Sequence, residues 1–159
     1  MAEKIMRWGH GYTVFPEVIR IPLLIHLPPA LRARATTDVG RVAFTTDITP
    51  TLYALLGEPP ESPRLEAGSP LFSLGPEPLA DRRHDAFLVA SSYGAVYGLL
   101  RENGGRLYIA DAVDGRDYLF DLAHAGDDVR IGITDAERLA SRALIREQVA
   151  DLAAWYGRQ

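Results

Sequence analysis

The stretch that decides the fold is residues 86–122, which read AFLVASSYGAVYGLLRENGGRLYIADAVDGRDYLFDL. Four short segments in it are rich in aliphatic, β-branched and aromatic residues, as strands are. They are Ala86–Ser91, Ala95–Glu102, Arg106–Asp111 and Asp117–Leu122. Because Asn103-Gly104-Gly105 and Asp114-Gly115 are tight-turn sequences, neighbouring strands should run in opposite directions. This stretch therefore predicts a four-stranded antiparallel sheet.

A C-terminal helix is predicted after the sheet. Thr134-x-x-Glu137 has the spacing of a capping box, which opens helices. Two apolar sets follow on nearly opposite faces: Ala136, Leu139, Ala140 and Ala143, and then Ile145, Val149, Leu152 and Tyr156. Since one stripe is the usual pattern for a helix that packs on a sheet, three alternatives stay open. The helix is kinked near Arg142–Leu144, split in two, or buried on two sides.

The N-terminal half has a mixed pattern. Val18–Leu27 is apolar on both faces, as a strand buried inside a parallel sheet would be. Pro22 cannot donate to a ladder, so the strand is predicted at Leu23–Leu27. Gly40–Phe44 is a second short candidate strand.

A helix is predicted at Asp47–Leu56. Thr46 or Asp47 can cap its N-terminus, and Gly57 is a typical stop. The proline-rich stretch Glu58–Leu79 then indicates an irregular surface loop and the best internal boundary. Taken together, the patterns predict an α/β chain that is α+β in its C-terminal half, with two parts at residues 1–80 and 81–159.

The composition is that of an ordinary globular domain. The 159 residues are 47% hydrophobic and 24% charged, with a formal net charge of -4, and the length suffices for a core. Basic residues form no run, so nothing indicates nucleic-acid binding. The chain has no cysteine, which excludes disulfides, thiolate metal ligands and a cysteine nucleophile. A membrane-spanning helix needs about 20 apolar residues in a row, and every apolar run in this chain is much shorter.

Four segments, which overlap the stretches described above, carry motifs of a known protein family. They are GHGYTVFPEVIRIPLLI at residues 9–25, TDITPTLYALLG at 46–57, GSPL at 68–71 and YLFDL at 118–122. In this order and spacing they resemble the C-terminal third of sulfatases, which are hydrolases of the alkaline phosphatase superfamily. The resemblance implies that residues 1–80 are a remnant of the alkaline phosphatase-like α/β core. Residues 81–159 would form a small C-terminal subdomain with the antiparallel sheet and the helix.

The resemblance also implies a function for the parent protein. Sulfatases cleave sulfate esters, and relatives cleave phosphate esters, with a Cys- or Ser-x-Pro-x-Arg nucleophile and a divalent cation (calcium, magnesium, manganese or zinc). No such nucleophile segment and no Asp-Asn or Asp-His pair occurs in this chain. We therefore expect a fragment that is inactive alone, with no catalytic and no metal-binding residue of its own. The alternative is a non-catalytic structural or interaction module.

His10 is the one substrate-binding residue that the resemblance implies. The family places a histidine or lysine in this region against the ester's sulfate or phosphate oxygens, where a cation stabilises developing charge. In the isolated chain a loop histidine without that role is favoured, because no nucleophile accompanies it. The expected partners are the parent's upstream catalytic core, a small-molecule ester in the parent, and a second copy of the chain through apolar surface around Leu23–Leu27.

Other chemistry-bearing residues have structural interpretations that are favoured over functional ones. His26 is expected to be a core or edge histidine, Asp47 a helix cap, and Glu17 and Arg20 a structural pair. The remaining candidates are expected to be solvated loop groups or sheet packing: His84, His124 with Asp127 and Asp128, and Tyr93, Tyr97, Tyr108 and Tyr118.

Overall fold

A computed structural model describes residues 11–38, 40, 42–57, 68–75, 86–123 and 129–157. The chain divides into two compact units. One comprises the described residues of Met1–Pro22 and Asp85–Gln159, and the other those of Leu23–His84.

The described elements, in chain order, begin with short pieces and end with a sheet and a long helix. They are α1 (Pro16–Ile19), α2 (Pro29–Arg32), β1 (Thr36–Thr37), a 3₁₀ turn (Thr45–Asp47), α3 (Ile48–Leu56), β2 (Phe72–Ser73), β3 (Ala86–Ala90), β4 (Val96–Arg101), β5 (Arg106–Asp111), β6 (Arg116–Asp121), β7 (Val129–Ile131) and α4 (Asp135–Tyr156).

The larger unit is built on an antiparallel meander in the order β3-β4-β5-β6-β7. The predicted antiparallel sheet is confirmed, with strand ends within about a residue of those expected, which is the usual scatter of strand boundaries. The predicted number of strands, four, was wrong. A fifth strand, β7, pairs with β6 through Arg130 and Phe120. A three-residue strand is too short to show an alternating pattern, so only pairing with β6 defines it.

One face of this sheet packs against α4. Leu99, Tyr108 and Leu119 lie side by side on three neighbouring strands and form a buried cluster with Ile145 of the helix. Residues directly opposite each other on neighbouring strands point to the same face, so this row is the centre of the core. Because α4 covers it, the predicted packing of sheet and helix is confirmed.

The opposite face is covered by the segment that leads into α1. The buried Val14 side chain lies over Gly98, where an added Cβ would be 3.1 Å from it. Phe15 makes edge-to-face contacts with Tyr118 and Phe120, with ring centroids 5.1 and 5.7 Å away. Such contacts stabilise aromatic pairs beyond their buried area. This unit is therefore a three-layer arrangement of segment, sheet and helix.

The C-terminal helix is one uninterrupted element of 22 residues. Its Thr134–Glu137 capping box is confirmed, since the Glu137 amide donates to Thr134 Oγ1 at 3.2 Å and the Thr134 amide to Glu137 Oε2 at 3.1 Å. Ser141 and Ile145 are buried, whereas Leu139 is 68% exposed. The face with Ala136 and Leu139 stays outside because alanines add little apolar surface to bury. Splitting and two-sided burial are thereby excluded.

The smaller unit departs most from expectation. The helix predicted at Asp47–Leu56 is present as α3, and Gly57 ends it with a left-handed φ of 72°. The strand predicted at Leu23–Leu27 is wrong, because these residues have no regular structure and Leu24 is 96% exposed. An apolar run becomes a strand only beside a partner strand, and no described residue pairs with it. The described part of Gly40–Phe44 forms no strand either.

A small antiparallel pair replaces the predicted strands. Thr36 pairs with Ser73 and Thr37 with Phe72, and Phe72 is buried. The described part of the predicted loop Glu58–Leu79, residues 68–75, thus contains a short strand and the buried Phe72.

Candidate functional site

The residue expected to bind substrate, His10, lies outside the described residues, as do His84, His124, Asp127 and Asp128. His26 is exposed and lies in the segment without regular structure, so the prediction of a core or edge histidine on a strand is wrong. Within the described ranges, no group of three or more histidine, aspartate or glutamate side chains is arranged to hold a metal ion. The polar and aromatic side chains that the structure does describe form three clusters.

The first cluster is centred on Asp47, which is 1% exposed. Its Oδ2 accepts from the Phe44 amide at 2.9 Å and its Oδ1 from the Ser69 amide at 2.8 Å. The expected cap of α3 is not made, because the carboxylate forms no capping hydrogen bond to that helix. It instead ties the chain before the helix to a segment 22 residues later. A buried carboxylate needs such donors to offset its desolvation.

Thr51 and Gly68 complete this cluster. Thr51 Oγ1 donates to the Asp47 carbonyl at 2.6 Å and accepts from the Leu71 amide at 2.9 Å. A Cβ on Gly68 would lie 2.1 Å from the Thr46 carbonyl oxygen, so only glycine permits this approach. Both carboxylate oxygens and the threonine hydroxyl are used in the fold. The cluster is therefore a structural clamp with no group left over for acid–base chemistry.

The second cluster joins α4 to the sheet. Arg142 Nη2 lies 3.0 Å from both carboxylate oxygens of Asp117, and Tyr108 Oη donates to Oδ1 at 2.9 Å. Arg138 Nε lies 3.1 Å from Oδ2, an ion pair without the geometry of a hydrogen bond. Burial is the main cause that raises the pKa of Tyr108 to about 12; the hydrogen bond with Arg142 opposes this rise, and the hydrogen bond to Asp117 adds to it. The hydrogen bonds of the Arg142 guanidinium with Tyr108 and with Asp117 raise the pKa of Arg142. At neutral pH Tyr108 is therefore neutral and Arg142 is charged, and their contacts with Asp117 hold the helix on the sheet.

The third cluster lies on the other face of the sheet. Phe15 touches Tyr118 and Phe120, and the guanidinium carbon of Arg130 lies 4.7 Å from the Tyr118 ring centroid, a cation–π distance. Arg20, expected to pair with Glu17, donates to the Leu122 carbonyl at 3.1 Å. The Tyr118 hydroxyl is buried and makes no hydrogen bond to any residue that the structure describes.

The tyrosines expected to pack in the sheet do so in three of four cases. Tyr108 and Tyr118 are buried, and Tyr97 packs against the core cluster. Tyr93 is different, because it lies in the bend between β3 and β4 and is 73% exposed. It pairs with Tyr12, a residue that the sequence reasoning did not single out. The sequence signal that could have indicated this tyrosine pair is Gly11, since glycine often marks a place where another group approaches the backbone closely.

Of the helices in the described part of the chain, none combines the length and apolar character needed to cross a membrane. The described residues thus contain two polar clusters that hold the fold together, an aromatic cluster and an exposed tyrosine pair. No family model, no curated protein and no solved structure matches this chain.

Proposed function

We propose that this chain is the C-terminal part of a sulfatase-type hydrolase, with an alkaline phosphatase-like parent that cleaves sulfate or phosphate esters. One observation carries the proposal. The four segments that resemble the family make specific contacts in two pairs: the first with the fourth, and the second with the third.

The contacts within each pair use the residues that define the motifs. In the first pair, Phe15 packs on Tyr118 and Phe120, and Arg20 donates to the Leu122 carbonyl. This pairing joins positions 102 residues apart along the chain. A chance resemblance gives no reason for distant motif residues to meet, whereas a shared fold does.

The second pair is held by the Asp47 clamp. The carboxylate binds the Ser69 amide, Thr51 binds the Leu71 amide, and Gly68 allows the contact with Thr46. These are the acidic, threonine and glycine positions of the two motifs. They serve folding, so the chemistry of the parent has to come from residues elsewhere in it.

The described residues do not fit the divalent cation of the family. Asp47 has both carboxylate oxygens hydrogen-bonded to backbone amides, and both oxygens of Asp117 face arginines. A hard cation needs several converging, available oxygens. The nucleophile and the cation ligands would thus belong to the upstream core, and His10 would contribute a contact to the ester oxygens.

Exposed apolar residues of the smaller unit are consistent with such a core. Leu23, Leu24 and Ile25 are 45%, 96% and 47% exposed, and Leu52 and Leu56 of α3 are 53% and 74% exposed. Apolar side chains that form a contiguous exposed patch usually have a partner. In the proposed parent the partner is the catalytic core.

The test has a genetic and an enzymatic arm. The coding frame upstream of residue 1 is expected to encode a Cys- or Ser-x-Pro-x-Arg segment and an aspartate pair. The purified chain is expected to turn over neither aryl sulfate nor aryl phosphate with added calcium, magnesium, manganese or zinc. If the purified chain did turn over either ester, and His10→Ala abolished that turnover, the chain would form an active site by itself. An upstream frame without those motifs would favour the structural or interaction module instead.

A further inference from the structure

We propose that Tyr12 and Tyr93 form a stacking subsite for an uncharged aromatic ring. The two rings lie with centroids 5.4 Å apart and planes inclined at 38°. They remain 46% and 73% exposed, although other tyrosines of the same unit, such as Tyr108 and Tyr118, are almost fully buried. The pair therefore presents aromatic surface outward at the bend between β3 and β4.

The backbone holds Tyr93 in place. Its amide donates to the Gly11 carbonyl at 3.0 Å, which fixes the bend against the segment that carries Tyr12. The Tyr93 ring lies directly on Gly11, because a Cβ there would be 2.5 Å from Cδ2 and 2.7 Å from Cε2. Ser91 Oγ donates to the Gly94 carbonyl at 2.6 Å and shapes the same bend. A ring that is already positioned loses little conformational entropy when a ligand binds.

The surroundings favour an uncharged aromatic ligand. The atoms nearest to a Cβ added at Gly11 or Gly94 belong to uncharged side chains, namely Tyr93, Ser92, Val113, Ser91 and Val96. Aromatic rings attract one another in offset and edge-to-face arrangements. We therefore assign the subsite to an aryl group. Its identification as the alcohol part of an aryl ester rests on the proposed function, but the binding of a ring does not.

The experiment is a titration followed by NMR on the full chain with ¹³C-labelled tyrosine rings. The probe is benzyl alcohol, and the matched control is cyclohexylmethanol, which has the same shape class without aromaticity. Ring signals of Tyr12 and Tyr93 are expected to shift saturably with benzyl alcohol, at concentrations on the order of millimolar. Tyr156 is the internal control, because it is 63% exposed and pairs with Trp155 at 4.8 Å.

Variants separate stacking from general surface binding. Tyr93→Leu is expected to weaken the effect at Tyr12 by about 2- to 10-fold, the range for one aromatic pair, whereas Tyr93→Phe should retain it. Gly11→Ala should weaken binding by displacing the Tyr93 ring. Since Tyr93 is mostly exposed, Tyr93→Leu is expected to fold, and unchanged Tyr108 and Tyr118 signals verify this.

Three results would overturn the assignment: no shift at Tyr12 and Tyr93, an equal shift at Tyr156, or equal binding of cyclohexylmethanol. Failure of the proposed function is distinguishable from these. A chain that binds benzyl alcohol while its parent cleaves no sulfate or phosphate ester keeps the subsite and loses the proposed function. The opposite outcome has two parts: the parent cleaves aryl esters with the same KM in Tyr93→Leu, and benzyl alcohol shifts neither ring signal. That outcome keeps the proposed function and removes the subsite.

Discussion

Two buried tyrosines on neighbouring strands give a matched test of the packing. Tyr108 on β5 and Tyr118 on β6 are 2% and 3% exposed. The Tyr108 hydroxyl donates to Asp117 at 2.9 Å, whereas the Tyr118 hydroxyl is buried without a hydrogen bond to any described residue. Replacing each by phenylalanine removes one oxygen atom and leaves the ring. The two substitutions should therefore change stability in opposite directions.

The magnitudes follow from the two environments. A hydrogen bond to a charged group contributes about 1.5–3 kcal/mol. Since Asp117 keeps Arg142, we expect Tyr108→Phe to lower the free energy of unfolding by the lower end, about 1.5 kcal/mol. An unsatisfied buried polar group costs about 1–3 kcal/mol, so Tyr118→Phe should raise that free energy by about 1 kcal/mol. The two variants should thus differ by about 2.5 kcal/mol.

Urea denaturation followed by circular dichroism measures this difference. Because the m-value depends on the surface exposed on unfolding, equal m-values in the two variants would show that only stability changed. The reasoning would be refuted if both variants were destabilised equally. A stabilised Tyr108→Phe would also refute it, because it would mean that the hydrogen bond from Tyr108 to Asp117 does not stabilise the fold.

Three further predictions concern pH, close approach and association. Because the folded pKa of Tyr108 is raised from 10.0 to about 12, its contribution to stability should be fully present below pH 10 and be lost as the pH rises to about 12; absorbance at 295 nm during a pH titration should show one late tyrosine that is missing in Tyr108→Phe. Gly68→Ala should strongly destabilise the smaller unit, since the new Cβ would lie 2.1 Å from the Thr46 carbonyl oxygen, whereas Gly75→Ala, which meets no atom within 4 Å, should be nearly neutral in the same thermal melt. The chain is expected to self-associate through apolar surface that includes Leu24, which is 96% exposed; Leu24→Lys should shift sedimentation towards monomer, and a wild-type chain that is already a monomer and binds no hydrophobic dye would contradict this.

The antiparallel sheet could be predicted because its signals are local. The turn after β4 has positive φ angles at Glu102, Asn103 and Gly104, and the next turn has one at Gly115. Glycine and asparagine tolerate that conformation, and Glu102 is the exception in this turn. The Thr134–Glu137 box is local in the same way, since its partners are three residues apart. Such features form from neighbouring residues and need no knowledge of the remaining fold.

The candidate site was less accessible to sequence reasoning. The motif pattern indicated His10, which the described residues do not include, and it gave Asp47 a capping role. The carboxylate's actual partner, Ser69, is 22 residues away. The exposed pair of Tyr12 and Tyr93 also joins distant segments. Spacing along the chain carries no information about which distant backbone amide or ring a side chain will meet.

The sequence by itself therefore determined the meander, its turns and the two main helices, because hydrogen bonds between near neighbours and alternating burial specify them. Tertiary structure decided the rest. The fifth strand exists only through its pairing with β6. α4 buries the face with Ile145 because that face meets Leu99 and Leu119, and Leu23–Leu27 is not a strand because no described strand lies beside it. In each case the outcome depends on a partner surface that the segment's own residues do not encode.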